Sequence, residues 1–173
     1  MSRDDDIVAP DAALERACEI DRYRSSGPGG QHRNKTESAI RLRHKATGVT
    51  AHADERRSQS ENRSKALHRM REHLAFDVRE PVDLEHYAPS PRLAALIAGG
   101  TARLGEKTRQ TPEFLLAYAH LLDLFAACGA EVSATAQRLG IGSGALSRFL
   151  LVDDRTSRAA NQLRAKFQLK PLR

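Results

Sequence analysis

Four consecutive residues, Gly27-Pro28-Gly29-Gly30, constrain this chain most. Three glycines and a proline exclude both helix and strand, so residues 25–31 are expected as an exposed loop between separate elements. Before it, residues 18–24 alternate weakly and predict a strand. After it, residues 38–43 and 49–53 alternate apolar with polar around Lys45-Ala46-Thr47-Gly48, which predicts a hairpin. Residues 58–74 carry Ala66, Leu67, Met70 and Leu74 on one helical face. At the other end, residues 1–9 are expected to be disordered. A short helix is expected from Pro10 to about Ala17, with Asp11 as its N-cap.

Beyond this half the pattern changes. Pro81, Pro89 and Pro91 mark residues 76–91 as a linker. A short apolar helix over 92–98 ends at Gly99-Gly100. Thr111-Pro112-Glu113 supplies an N-cap, a first-turn proline and a first-turn acid for a helix running to Cys128. Shorter helices are expected near 133–139, 144–151 and 156–168. The expected fold class is therefore α+β. A small helix, β-hairpin and helix domain over 10–75 precedes the linker, and an all-α module over 92–173 follows it.

Bulk properties narrow the function. With five Phe, three Tyr and no Trp, the core must be mainly Ala, Leu, Ile and Val. No run approaches the ~18 apolar residues that cross a bilayer, so no membrane partner is expected. The acidic start, Met1-Ser2-Arg3-Asp4-Asp5-Asp6, is unlike a signal peptide. Cys18 and Cys128 read as reduced thiols of a cytoplasmic protein, too few to hold zinc, and no metal or cofactor is implied. Net charge is +6, and residues 22–71 hold 13 basic against 4 acidic residues. Such a segment suits a polyanion such as RNA or DNA; a solvated charged face accounts for it equally well.

The chemistry centres on Gly29-Gly30-Gln31. The glycines permit close approach of backbone to a ligand. Gln31 does not ionise near neutral pH, so it is a poor general base, yet its amide and backbone N–H can position groups. Reaction at an ester carbonyl passes through an oxyanion, which a fixed N–H stabilises by about 3–4 kcal/mol. The tripeptide alone would also suit a plain turn.

Its surroundings are more specific. The run Ser25-Ser26-Gly27-Pro28-Gly29-Gly30-Gln31-His32-Arg33-Asn34-Lys35-Thr36-Glu37-Ser38 resembles the catalytic domain of class I peptide chain release factors and their ribosome-rescue relatives. The resemblance continues through Ala39-Ile40-Arg41-Leu42, Thr47-Gly48-Val49, Glu55-Arg56-Arg57-Ser58-Gln59, Asn62-Arg63 and Ala66-Leu67. It implies hydrolysis of the peptidyl-tRNA ester in the peptidyl-transferase centre, with Gly29, Gly30 and Gln31 catalytic. The partners it implies are large-subunit ribosomal RNA, peptidyl-tRNA and a glutamine methyltransferase acting on Gln31. Ser26, Gly27, Pro28, Asn34, Lys35 and Thr36 would support the loop. Arg22, Arg24, Arg33, Arg56 and Arg63 are candidate RNA contacts, each of which ordinary surface charge would also explain. About ten residues precede the match and nothing resembles a codon-reading domain, so codon-independent action is expected.

In the helical module, Thr135, Ala136, Leu139, Gly140, Ile141, Leu146 and Phe149 fit a helix-turn-helix pattern. Ala136 would allow close helix crossing, and Gly140 would turn the chain. Leu139, Ile141, Leu146 and Phe149 would form the core. Arg138, Ser143, Ser147 and Arg148 would face outward, with Arg138 and Arg148 as RNA contacts. A plain helical bundle fits the same pattern. Two other functions stay open: a non-catalytic ribosomal-RNA-binding factor, and a helix-turn-helix DNA-binding regulator.

Overall fold

A computed structural model describes residues 2–23 and 38–173. The fold is α+β, and internal contacts divide it into two compact units, Met1–Leu74 and Ala75–Arg173. In the first, helices α1 (Arg3–Val8) and α2 (Asp11–Arg16) precede strand β1 (Cys18–Tyr23). Strands β2 (Ala39–His44) and β3 (Thr50–Ala53) complete an antiparallel sheet of order β1-β2-β3. Helix α3 (Gln59–Asp77) follows, and its residues up to Leu74 belong to this unit.

The sheet has one packed face because register carries alternation across it. Ile40 faces Ala53 and Leu42 faces Ala51, so these four apolar side chains share one side. All four are buried. Ala66, Leu67, Met70 and Leu74 are buried too, which is why the 3.6-residue pattern is visible in the sequence. Each of the larger ones contributes about 1.5–3 kcal/mol by leaving water. The hairpin turns where expected. Gly48 takes φ +72°, a left-handed geometry natural for glycine, and its N–H donates to His44 O at 2.8 Å.

Two expectations about the N-terminus are corrected. Residues 1–9 were expected to be disordered, yet residues 3–8 form α1. Ser2 caps it: the Asp5 N–H donates to Ser2 Oγ at 3.2 Å, and the Ser2 N–H to Asp5 Oδ2 at 3.0 Å. These bonds hold the Asp5 carboxyl below the usual carboxylate range. Ile7 is fully buried and secures the helix in the core. Asp11 is not an N-cap. Pro10 occupies that position without a side-chain bond. Asp11 instead meets the Arg71 guanidinium at 2.7 Å. That guanidinium is nearly buried and also donates to the carbonyls of Ile7 (3.2 Å) and Ala9 (2.7 Å).

The second unit is helical. Helix α4 (Pro91–Gly99) is capped by Ser90, and α5 (Pro112–Ala127) by Thr111 with proline in its first turn. Helices α6 (Val132–Leu139), α7 (Ser143–Leu150) and α8 (Asp154–Lys166) follow. Helix α5 is the central element: residues from Phe114 to Phe125 are buried except His120. Tyr118 lies 5.2 Å from Phe114 and 5.8 Å from Phe76, centroid to centroid, and donates its hydroxyl to Phe149 O. The segment expected to be a linker, 76–91, is tied into this unit. Arg79 donates to Ala119 O and pairs with buried Asp123, each at 3.1 Å, and the Glu80 N–H donates to Asp123 Oδ1 at 3.1 Å. The polar stretch thus carries hydrogen bonds that its prolines do not reveal.

Candidate functional site

The geometry begins where the chain leaves and re-enters the sheet. Tyr23 ends β1, Ala39 begins β2, and the two are direct partners in the ladder. Gly29, Gly30 and Gln31, and with them Ser26, Gly27, Pro28, Asn34, Lys35, Thr36, Arg24 and Arg33, lie outside the described residues. The described residues form the frame that brackets them.

One side of that frame is locked by Asn62, which is fully buried in the first turns of α3. Its Nδ2 donates to Ser38 O (2.7 Å) and to Arg56 O (2.8 Å), while its Oδ1 accepts from the Arg56 N–H (2.9 Å). The residue at which the chain rejoins the sheet is thereby clamped to α3 and to the segment before it. In the sequence, Asn62 stands out only as part of the resemblance. Its partner Ser38 stands 24 positions away, and no local pattern signals such a bond. Asn62→Ala leaves buried polar groups unpaired at about 1–3 kcal/mol each. A loss of about 2–4 kcal/mol is expected in urea unfolding of the full chain; a midpoint that does not move would remove Asn62 as the clamp.

The outward face of the sheet is charged. Glu19 opposes Arg43 and Asp21 opposes Arg41, with side-chain contacts of 3.6 and 3.7 Å. The Arg41 guanidinium also lies 5.2 Å from the centre of the Tyr23 ring, stacking on the last residue before the bracketed segment. Arg41 and Arg43 were counted in the basic stretch but not singled out. Their two-residue spacing on a predicted strand is the signal that would have found them.

Among the sequence-predicted contacts, Arg22 is exposed on β1. Arg56 is exposed and 3.9 Å from Glu61. Arg63 pairs with Glu15. The exposed Arg56–Glu61 pair is worth about 0–1 kcal/mol, so exchanging its carboxylate for a phosphate costs little. Arg69, bound to Glu55, holds that carboxyl down at about 2. Arg138 and Arg148 belong to the other unit, and both are exposed.

Two further groups are inward and structural. His44 is buried, with Nε2 3.1 Å from Asp6 Oδ2 and Nδ1 2.9 Å from Thr47 Oγ1. Burial, followed by the nearby Asp6 charge, pushes the Cys18 thiol up to about 11, so it is no nucleophile near neutrality. Among the described residues, no three His, Cys, Asp or Glu side chains gather as metal ligands would. None of the described helices is long and apolar enough to cross a membrane.

Comparison with known proteins agrees with this frame. The family model of the RF-1 domain matches residues 12–103. Peptide chain release factor 2 of Sulfurimonas denitrificans is 50% identical over 71 residues, covering 41% of this chain and 19% of the relative. Peptide chain release factor 1 of Xylella fastidiosa is 56% identical over 55 residues, covering 32% of this chain and 15% of the relative. The chain thus spans under a fifth of the length of either relative. The family match takes in all three strands, the bracketed segment and α3, and on that match the chain belongs to the RF-1 domain family.

Proposed function

We propose that this chain hydrolyses the ester of peptidyl-tRNA in the ribosomal peptidyl-transferase centre, and that it does so without reading a stop codon. One observation carries the reading. In a chain of the RF-1 domain family, Gln31 falls midway in sequence between the paired strand residues Tyr23 and Ala39. An extended chain of that length reaches at most about 26–29 Å from the sheet, enough to enter a deep site in RNA. The exposed arginines at 22, 41, 43, 56 and 63 supply the charge for phosphate contacts.

The chemistry asks little of the protein in proton transfer. Water attacks the ester carbonyl carbon, the carbonyl oxygen becomes an oxyanion, and the bond to the tRNA ribose oxygen breaks. The Gln31 backbone N–H stabilises the oxyanion or the departing ribose oxygen, while its amide orients the water. A non-ionising side chain leaves proton movement to water, the adjacent ribose 2′-hydroxyl and ribosomal RNA. Gly29 and Gly30 allow the backbone to approach the ester. Arg24, Arg33 and Lys35 contact phosphate, and Asn34 and Thr36 close local hydrogen bonds. N-methylation of Gln31 by a dedicated methyltransferase belongs to the same reading.

The test is nascent-peptide release from ribosomes holding a stop codon, a sense codon, or no codon in the acceptor site. Comparable release from all three is expected. Release from stop-codon complexes alone would overturn the codon-independent part. No release from any of them, with ribosome binding retained, would put a non-catalytic RNA-binding factor in its place.

A further inference from the structure

Helices α6 and α7 lie entirely beyond residues 12–103, so the family match leaves them without a role. They form a tight two-helix corner. Gly140 takes φ +65° in the left-handed region, and the Ile141 N–H returns to Ala136 O at 3.1 Å. Thr135, Ala136, Leu146, Phe149 and Leu150 are buried on its inner side, while Leu139 and Ile141 are half-buried. That burial fixes which face of α7 is left over. Ser143, Gly144 and Arg148 are exposed and Ser147 half-exposed, and their spacing places all four on one side.

This face has a definite chemistry. Residues 132–152 contain two arginines and no Asp or Glu, and residues 132–173 contain eight basic and two acidic residues. One of those two acids, Asp153, is occupied as the N-cap of α8 and sits 3.4 Å from both Arg109 and Arg155. The Arg148 guanidinium folds back over Gly144, its Nη1 3.9 Å from where a Cβ there would stand. Among the described residues it meets no carboxylate. It therefore sits beside Gly144 in the first turn of α7, at the end of the helix that has no side-chain cap.

We propose that this face of α7 docks on the backbone of double-stranded RNA. Apart from Arg148, the side chains of this face are too short to read bases in a B-form major groove, where Asn, Gln, Arg or Lys side chains do that work. The A-form minor groove is wide and shallow and lines its surface with 2′-hydroxyls. Ser143 and Ser147 can exchange hydrogen bonds with those hydroxyls, Gly144 permits close approach, and Arg148 reaches phosphate. An eight-residue helix is about 12 Å long and fits such a groove end to end. The choice of RNA over DNA also rests on the ribosomal reading above.

The test uses the full chain and free probes, so it does not depend on peptide release. Binding of an RNA duplex of about 16 base pairs, of DNA of the same sequence, and of the single RNA strand is followed by anisotropy. Arg148→Glu and Ser147→Glu are expected to weaken RNA-duplex binding about tenfold each, and Arg148→Gln to lower the salt slope by about one. Arg173→Glu, equal in charge and outside α7, is expected to change it less than about twofold. Thermal melts by circular dichroism check that each variant is folded. Equal losses from Arg148→Glu and Arg173→Glu would overturn the proposal, as would tighter binding of the DNA duplex or preference for the single strand. Failure here with peptide release intact would leave the catalytic reading standing.

Discussion

Gln31→Ala is expected to lower peptide release by about 10²–10³-fold while leaving ribosome binding within about twofold. On the proposed reading the two readouts separate, because Gln31 acts at the reacting atoms while binding rests on several exposed arginines. Alanine keeps the backbone N–H, so the loss reports the amide that orients water. Gly30→Ala is the companion change. It adds a methyl where close approach is required and lowers release without altering any ionisable group. If both variants release peptide like the parent, the loop has no part in the chemistry and the functional reading fails at its centre.

The largest effect on folding is expected at His44. Its ring sits with Asp6 in a nearly sealed site, their side chains 1% and 2% exposed. The Thr47 N–H donates to Nδ1 at 3.3 Å, so Nδ1 is the acceptor and Nε2 carries the proton toward Asp6. Asp6 Oδ1 has no hydrogen-bond partner among the described residues, so the carboxylate depends heavily on that one donor. His44→Leu removes the donor and strands the acid, at a cost of about 3–5 kcal/mol. That is a large share of the ~5–15 kcal/mol that holds a domain together. Adding Asp6→Leu is expected to recover much of the loss, because an apolar pair of similar volume needs no partner. Urea unfolding of both single variants and the double variant measures the coupling. Additive losses would show that the pair is not acting as a unit.

These two sites differ in how they could be known beforehand. The helical stripe of Ala66, Leu67, Met70 and Leu74, the cap and proline of α5, and the glycine corner at Gly140 are local, and each was legible in the residues themselves. The tripeptide Gly29-Gly30-Gln31, to which the proposal gives the chemistry, stands out only through the run around it. Asn62, His44 and Asp6 were not, since what matters is the partner each finds 24 or 38 positions away. A polar residue in a string carries no sign of what will face it. Helix α1 was missed for a related reason. Three adjacent aspartates dominate its composition, while its stability comes from a Ser2–Asp5 cap and the single buried Ile7. The linker misled because prolines mark the absence of a helix and say nothing about hydrogen bonds to neighbours.

Arg71 gives the N-terminal stretch a weight its composition conceals. A guanidinium keeps its proton at every pH a cell meets, so it cannot escape burial by becoming neutral. Its acceptors, the carbonyls of Ile7 and Ala9, come from residues that an engineer would trim as a dispensable tail. Trimming them would open a slot in the core beside a permanent cation, and water would enter behind it. Residues 2–9 are thus a plug for the core of the first unit, and any change made there must leave that plug free to seat.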